Sequence, residues 1–494
     1  MRPDGTPSRC EVYRSRAINF GAAVSILWIL FTFIPALMIL VFVHELGHFW
    51  AARAFGMRVD RFSIGFPPNI LKKRFGQTEY VLGITPLGGY VKIAGMVDES
   101  LDTDFKDEEP QPDEFRSKPL WQRMIVISAG VIMNMVLAFV IFFALTWAFG
   151  TSNYAHTEDG TIFVADSSVA SVDVGMQTGD RLLAIGEYIY EPGGPDIPLN
   201  SILTDELAFE VERDGQTLTL PAPGNLMTRV QELEAGGLYG LGIYAWPSTL
   251  GSVAEGMPAE LAGLQVGDRI TAVNQSPVKY WLDLIDHIDT SGGDSLLVAW
   301  ERDEGQRSVA YEAVVVPVMN PRCDYVIGIG VARTQVDHGL IESVGIGLKD
   351  TGENTQAITT SLWRIVSGKE SVRDNLGGPV MVANVIGEAA SSGARPFWFI
   401  VAMLSITLAI VNILPIPVLD GGHLMFLFYE LFTRKEPPLK VRIFLQQAGM
   451  ILLLILMAFL ITNDVIRAFS SRGNEASEVE PVVCQVDETE AGAE

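Results

Sequence analysis

Residues 24–48 read VSILWILFTFIPALMILVFVHELGH. The part up to residue 43 is uncharged and almost wholly apolar, close to the ~20 residues that a helix needs to cross ~30 Å of hydrocarbon. It is too long for the apolar core of a signal peptide, and no small-residue cleavage pattern follows it. Instead it runs into His44-Glu45-Leu46-Gly47-His48. On a helix, His44 and His48 stand one turn apart on one face, so both imidazoles reach a single ion, and Glu45 lies close enough to take a proton from water bound there. Zinc suits this donor set: it is borderline-soft, has no geometric preference from d electrons, and brings a bound water to a pKa near ~7. One Zn2+ per chain is therefore expected. Ionisable side chains at the end of an apolar span are expensive and point to function. The bland alternative is a chance pattern of two hydrogen-bonded histidines.

Three more stretches are long and apolar enough to span, at about 124–149, 397–419 and 443–461. The 494-residue chain is 48% hydrophobic and 19% charged, which excludes a disordered chain and fits a mixture of membrane and soluble parts. Its net charge of −24, from 35 Lys+Arg against 59 Asp+Glu, would repel phosphate backbones, so no nucleic-acid partner is expected. Cys10, Cys323 and Cys484 are too scattered for a disulfide framework or a thiolate metal site. A transition metal must then use His, Asp or Glu. Two histidines leave a tetrahedral site one protein ligand short, with a fourth position for water. The third ligand is sought at the end of the third span, in Asn412-Ile-Leu-Pro-Ile-Pro-Val-Leu-Asp420-Gly-Gly-His423. Pro415 and Pro417 interrupt the helix and free backbone groups, which is tolerated only where something polar is lined. Asp420 is the expected ligand and His423 its rival.

Lys and Arg set the expected orientation. Arg53, Arg58, Arg61, Lys72, Lys73 and Arg74 follow the first span, Arg116, Lys118 and Arg123 precede the second, and Arg434, Lys435, Lys440 and Arg442 separate the third from the fourth. Those two loops are expected in the cytosol, with the site near the cytosolic face and 150–396 outside. Arg9, Arg14 and Arg16, ahead of the first span, oppose this and are outvoted.

The external segment contains a repeat: 175–187 reads GMQTGDRLLAIGE and 263–275 reads GLQVGDRITAVNQ, an offset of 88 residues. Two small domains in tandem are the simplest reading. Short alternating runs bounded by Gly, Pro and Asp suggest strands around each copy. The Gly-Asp-Arg turn feeding an apolar strand resembles the PDZ domain in the permuted form found in bacterial proteases. Such a domain binds an extended peptide as an added strand. By that resemblance, Tyr239-Gly240-Leu241-Gly242-Ile243 is the amide-presenting loop of the second copy; the plain alternative is a tight turn. The acidic run 98–114 reads as a solvated flexible loop, and the acidic tail after residue 470 as disordered.

HExxH ending one span, NxxPxPxLDG in a late span and PDZ-like repeats between them resemble the site-2 protease family, within it the bacterial regulator-of-sigma-E protease group. The resemblance covers about 21–469. It implies an intramembrane zinc metalloprotease of the bacterial cytoplasmic membrane. Its partners would be the lipid bilayer and its substrates single-pass transmembrane proteins, such as anti-sigma factors, or signal-peptide remnants. His44 and His48 match the family's ligand pair, Glu45 its catalytic glutamate and Asp420 its third ligand. Asn412 matches an asparagine that holds the substrate backbone, and Pro415 the proline before the LDG motif. LGITPLGGYVKIAG at 82–95 matches a membrane-dipping β-hairpin beside the site, so Gly83, Ile84, Thr85, Gly88, Gly89 and Tyr90 are expected substrate contacts; the alternative is a plain surface hairpin. Gly130 and Asn134 match a small-residue and Asn pattern in the second span, with helix packing as the alternative. Thr407 stands where one family pattern has a second asparagine.

The expected fold is thus a polytopic α-helical membrane protein of four transmembrane helices and a membrane-associated β-hairpin, with tandem mixed α/β PDZ-like domains between helices 2 and 3. Its parts are an extension at 1–20, the first span with HExxH at 21–55, the hairpin and acidic loop at 56–122, and the second span at 123–149. PDZ-like repeats follow at 150–238 and 239–336, then an amphipathic segment at 337–395. The third span with LDG takes 396–436, the fourth 437–469, and the tail 470–494. A membrane scaffold or chaperone that binds peptides through its repeats is the competing function.

Overall fold

In the computed structural model, residues 9–96, 109–192, 197, 199–204, 206–233, 240–305, 307–320, 325–372 and 377–478 are described. The chain splits into two compact units: residues 1–137 with 376–494, and residues 138–375.

The first unit opens with helix α1, Arg9–Ala54. The helix therefore begins inside the stretch read above as an extension. Trp28, Phe31 and Phe42 are exposed on it, as expected of a helix apolar all round and solvated by lipid. Strands β1 (Val59–Phe75) and β2 (Thr78–Ile93) follow. They pair twice, from Val59↔Ile93 to Ile64↔Gly89 and again from Asn69↔Gly83 to Phe75↔Thr78, so the hairpin is folded back on itself. Residues 98–108 of the acidic run lie outside the described residues. Its end is not a solvated loop: Glu114 is buried and pairs with Arg116 at 2.6 Å, and Phe115 joins the core of Val59, Phe62, Val91, Ile93 and Val126. Helix α2, Leu120–Phe149, comes next.

The second unit carries β3 (Thr151–Tyr154), β4 (Phe163–Val164), a π-helical turn at Ala170–Val174, β5 (Arg181–Ile185), β6 (Tyr188–Ile189), β7 (Ala208–Arg213), β8 (Gln216–Pro221), helix α3 (Leu226–Leu233) and β9 (Ile243–Tyr244). It continues with β10 (Leu250–Val253), α4 (Pro258–Leu261), β11 (Arg269–Val273), β12 (Ser276–Pro277), α5 (Trp281–Thr290), β13 (Leu296–Asp303) and β14 (Ser308–Val315). Then come β15 (Val318–Met319), β16 (Tyr325–Val326), β17 (Ile329–Val331), β18 (Arg333–Val336) and the long α6 (Leu340–Val366). Two four-stranded sheets have equivalent orders, β6-β5-β7-β8 and β12-β11-β13-β14.

The repeated letters have a physical cause. Asp180 accepts the Gln177 amide at 2.9 Å and both arms of Arg213 at 2.7 Å, while Arg213 also reaches the Gly175 carbonyl. Asp268 does the same with Gln265 and Arg302, and Arg302 reaches Gly263. In each copy the carboxylate's hydrogen bonds push the guanidinium above its ordinary pKa. Gly179 and Gly267 take φ +99° and +93°, which suits glycine alone. Since the Asp268 side chain is fully buried and accepts three hydrogen bonds, while Arg302 stays in contact with solvent, Asp268→Ala is expected to destabilise the second repeat by about 1–3 kcal/mol. Hydrogen exchange of β11 and β13 in the full chain would show it as lost protection; unchanged protection would contradict it.

The loop with Gly240, Leu241, Gly242 and Ile243 belongs to the first repeat, not the second. β9 pairs with β4, the Ala165 and Ala170 amides donate to the Gly242 and Leu241 carbonyls, and Leu241 and Ile243 are buried with Ile162, Phe209 and Val211. In the second repeat the same places fall to Gly328 and Ile327, which accept from Ala254 and Ala259. The segment after the repeats is also no mere connector: Ala357 of α6 is buried in the first repeat's core. Glu370 accepts from the amides of Met227 and Thr228 at the start of α3 and pairs with the buried Arg364 at 3.1 Å.

The chain returns to the first unit with α7 (Pro379–Ser391), α8 (Ala394–Ile413), α9 (Asp420–Thr433) and α10 (Leu439–Glu478). α10 outruns the boundary expected at 469; residues 479–494 lie outside the described ones. Asp464 of α10 caps α7, accepting from Gly378, Val380 and Met381 amides at 2.9–3.1 Å. Among the described residues four helical segments are long and apolar enough to cross a membrane: Phe31–Ala54, Leu120–Phe149, Ala394–Ile413 and Leu439–Asp464.

Candidate metal centre

α1 delivers His44 and His48 to one face, as the spacing requires, and Gly47 between them allows close approach to α2: a Cβ there would lie 2.7 Å from the Ala129 carbonyl carbon. The facing side chain comes from the break between α8 and α9. α8 stops at Ile413, the chain turns through Pro415 and Pro417, and Asp420 is the first residue of α9. Gly421 and Gly422 stand directly against the Ile413, Leu414 and Ile416 carbonyls, and Gly449 of α10 against Pro417; side chains at these three positions would hold the break open. Val418 sits in it at φ +97°, a strained conformation for a β-branched residue.

Asp420 Oδ2 lies 3.2 Å from His44 Nε2 and 3.3 Å from His48 Nε2, and the two Nε2 atoms are 3.3 Å apart. Among the described residues this is the one group of three or more His, Cys, Asp or Glu whose ligand atoms converge within 4.8 Å. His48 Nδ1 lies 2.8 Å from the Val126 carbonyl. A carbonyl only accepts, so Nδ1 carries the proton and Nε2 presents a lone pair inward. Asp420 Oδ2 is buried with no hydrogen-bond donor. The His48 lone pair and the Asp420 carboxylate, facing one another without a proton between them, call for a cation, and two imidazoles with a carboxylate fit zinc with one open position. A carboxylate oxygen left bare in a buried site would otherwise be costly.

Around this group is a small cavity lined by His44, Glu45, His48, Tyr90, Asp420 and His423 among others. His423 is thus near, but it is not in the converging group. Asn412, in the last turn of α8, places Nδ2 3.4 Å from His44 Nε2. Thr407 turns its hydroxyl back to the Met403 carbonyl of its own helix.

The hairpin residues divide. Gly89 and Tyr90 are at the site: Tyr90 lines the cavity, and a Cβ on Gly89 would lie 3.1 Å from Glu45 Cγ and 2.7 Å from the Ser63 carbonyl. Gly88 packs beneath the Phe66 ring. Gly83 backs onto Gly65 and Phe66, Thr85 pairs with Phe66, and Ile84 is exposed; these three do not line the cavity. α2 supplies Gly130, where a Cβ would lie 2.7 Å from His44 Cε1, 2.8 Å from His44 Nε2 and closer still to His48 Nε2. The Val126 carbonyl was beyond sequence reasoning, because its contribution is main-chain and no side-chain pattern marks it.

Residues 32–456 match peptidase family M50. The chain is 31% identical to "Regulator of sigma E protease" of Haemophilus influenzae, over 90% of this chain and all of that one. It is 29% identical to "Regulator of sigma-E protease RseP" of Escherichia coli, with the same coverage. Among solved structures, the PDZ domain of an SdrC-like protein from Listeria innocua is 26% identical over 19% of this chain and 99% of its own, with a TM-score of 0.15. The chain belongs to peptidase family M50, the site-2 protease family of intramembrane zinc metalloproteases.

Proposed function

We propose that His44, His48 and Asp420 hold one zinc ion and that Glu45 is the catalytic acid–base of a protease cutting within the transmembrane segments of single-pass membrane proteins. The observation that carries this is the Asp420 oxygen poised 3.2 and 3.3 Å from two imidazole nitrogens in a cavity that Glu45 also lines. A zinc ion held there supplies a Lewis acid for the scissile carbonyl and a water of lowered pKa. Glu45 takes the proton of the attacking water and passes it to the leaving amine. Asn412, within reach of the same place, orients the substrate backbone.

A transmembrane helix hides its amides in its own hydrogen bonds, so the stretch to be cut must unwind and find other partners. The strand through Gly88, Gly89 and Tyr90 is read as that partner, by strand addition. Gly83, Ile84 and Thr85 support it from behind by shaping the bend, and Pro415 breaks the helix so that Asp420 turns inward. A peptide-binding scaffold would have no use for this group of ligands.

The two repeats are read as tandem PDZ-like domains between α2 and α8, with Gly240, Leu241, Gly242 and Ile243 as the amide-presenting loop of the first. In the second, α5 and the loop at 325–329 border a cavity lined by Ile285, Ile288 and Ile327, suited to an apolar peptide end. The location proposed is the bacterial cytoplasmic membrane, with the repeats outside and the metal near the cytosolic edge. Anti-sigma-factor-like proteins or signal-peptide remnants are the proposed substrates, supported by the names of the relatives.

The test is cleavage of a model transmembrane substrate by the purified full chain. Activity is expected to vanish with chelator and return with zinc; cleavage indifferent to chelator overturns the reading. Asp420→Ala is expected to lose bound zinc while His423→Ala keeps it, measured as metal content per chain. The reverse pattern would move the third ligand to His423.

A further inference from the structure

α2 backs the histidine pair with one stripe of residues at four-residue spacing: Val126, Gly130 and Asn134. Val126 fixes His48 through its carbonyl, and Gly130 makes room. Asn134 is fully buried, its Nδ2 lies 3.2 Å from His44 Nδ1, and its Oδ1 has no partner. Its backbone is held as well, since Ser405 Oγ of α8 donates to the Asn134 carbonyl at 2.7 Å.

We infer that Asn134 is a positioning residue for the metal centre, acting through His44 by fixing which imidazole nitrogen bears the proton. The argument rests on the ligand set proposed above. If His44 Nε2 is a ligand, it offers a lone pair, so Nδ1 carries the hydrogen and needs an acceptor. An amine at that place would face a second donor. Turning the Asn134 amide by 180° brings the orphaned Oδ1 onto the Nδ1 hydrogen and sends the amine to the place the oxygen left. Both histidines then donate outward from Nδ1 to oxygens of the same helix face, and both present Nε2 inward. Outer hydrogen bonds of this kind orient a metal-binding imidazole and raise its basicity.

Zinc affinity of the full chain, purified in detergent, is measured by competition with a chelator for Asn134→Leu, Asn134→Asp and His44→Ala. Thermal unfolding of the zinc-free forms is followed in parallel. Leucine keeps the bulk and removes the acceptor, and is expected to weaken zinc about 10–100-fold with little change in zinc-free unfolding. Aspartate restores an acceptor and is expected to return affinity to within a few-fold of the parent. Unchanged affinity in Asn134→Leu, with His44→Ala weakened, overturns the role of Asn134 alone. Aspartate failing as badly as leucine would reduce the residue to packing and also overturns it. Full affinity in His44→Ala overturns the ligand set, and this inference with it.

Discussion

Replacing Glu45 with glutamine is expected to leave one zinc per chain and to lower cleavage of a transmembrane substrate by about 10²–10⁴-fold. Glutamine keeps the volume and one oxygen but cannot accept the proton of the attacking water. The residue is about nine-tenths buried, lines the same cavity as His44 and His48, and packs against Gly89. Its shape is thus retained while its acid–base chemistry is removed. Single-turnover cleavage and metal content, measured on one preparation, check the prediction. Parent rates would remove Glu45 from the chemistry, and loss of zinc would make it part of the metal's own shell.

The second large effect is expected at a residue with no side chain. Gly130→Ala would put a methyl group against His48 Nε2 and 2.8 Å from His44 Nε2, the atoms proposed to face the ion. Neither ring can retreat freely. His48 is held by the Val126 carbonyl on the same helix, and His44 by Asn134 one turn further along it. Overpacking of this kind costs about 3 kcal/mol, or ~100-fold in zinc affinity. A control at Gly345 of α6, where a Cβ meets nothing within 4 Å, should leave affinity unchanged. Equal zinc affinity in Gly130→Ala and the parent would show that the rings can shift and that the stripe on α2 is no rigid wall.

How far the sequence was legible follows the range of the interactions. His44, Glu45 and His48 could be read because a helix fixes their geometry within one turn. Asp420 could be proposed because two prolines and two glycines mark a break at the end of a span, and a break there is tolerated only where something polar is lined. The repeat could be found because Gly, Gln, Gly and Asp form one local turn, although the arginines that close it, Arg213 and Arg302, come 33 and 34 residues later. Strand partnership was not legible. Ile243 sits between the two repeated motifs, and nothing local tells it to pair with Val164 rather than with the strand that follows. The second register of the hairpin was hidden for the same reason, since Asn69 and Ile64 both find partners in one later strand. The burial of Ala357 in a core formed some 150 residues earlier is a tertiary fact: its segment reads as amphipathic, but nothing in the pattern says what the apolar face covers. The burial of Glu114 defeats a charge-based reading because one arginine two residues away neutralises it.

Two imidazoles and the Asp420 carboxylate are proposed to hold one zinc ion. X-ray absorption at the zinc edge of the purified full chain tests this most directly. Expected are one zinc per chain with a first shell of nitrogen and oxygen at about 2.0–2.1 Å, the scattering signature of two imidazoles, and loss of the metal in Asp420→Ala. A three-imidazole signature, or zinc retained with an unchanged spectrum in Asp420→Ala, would contradict it.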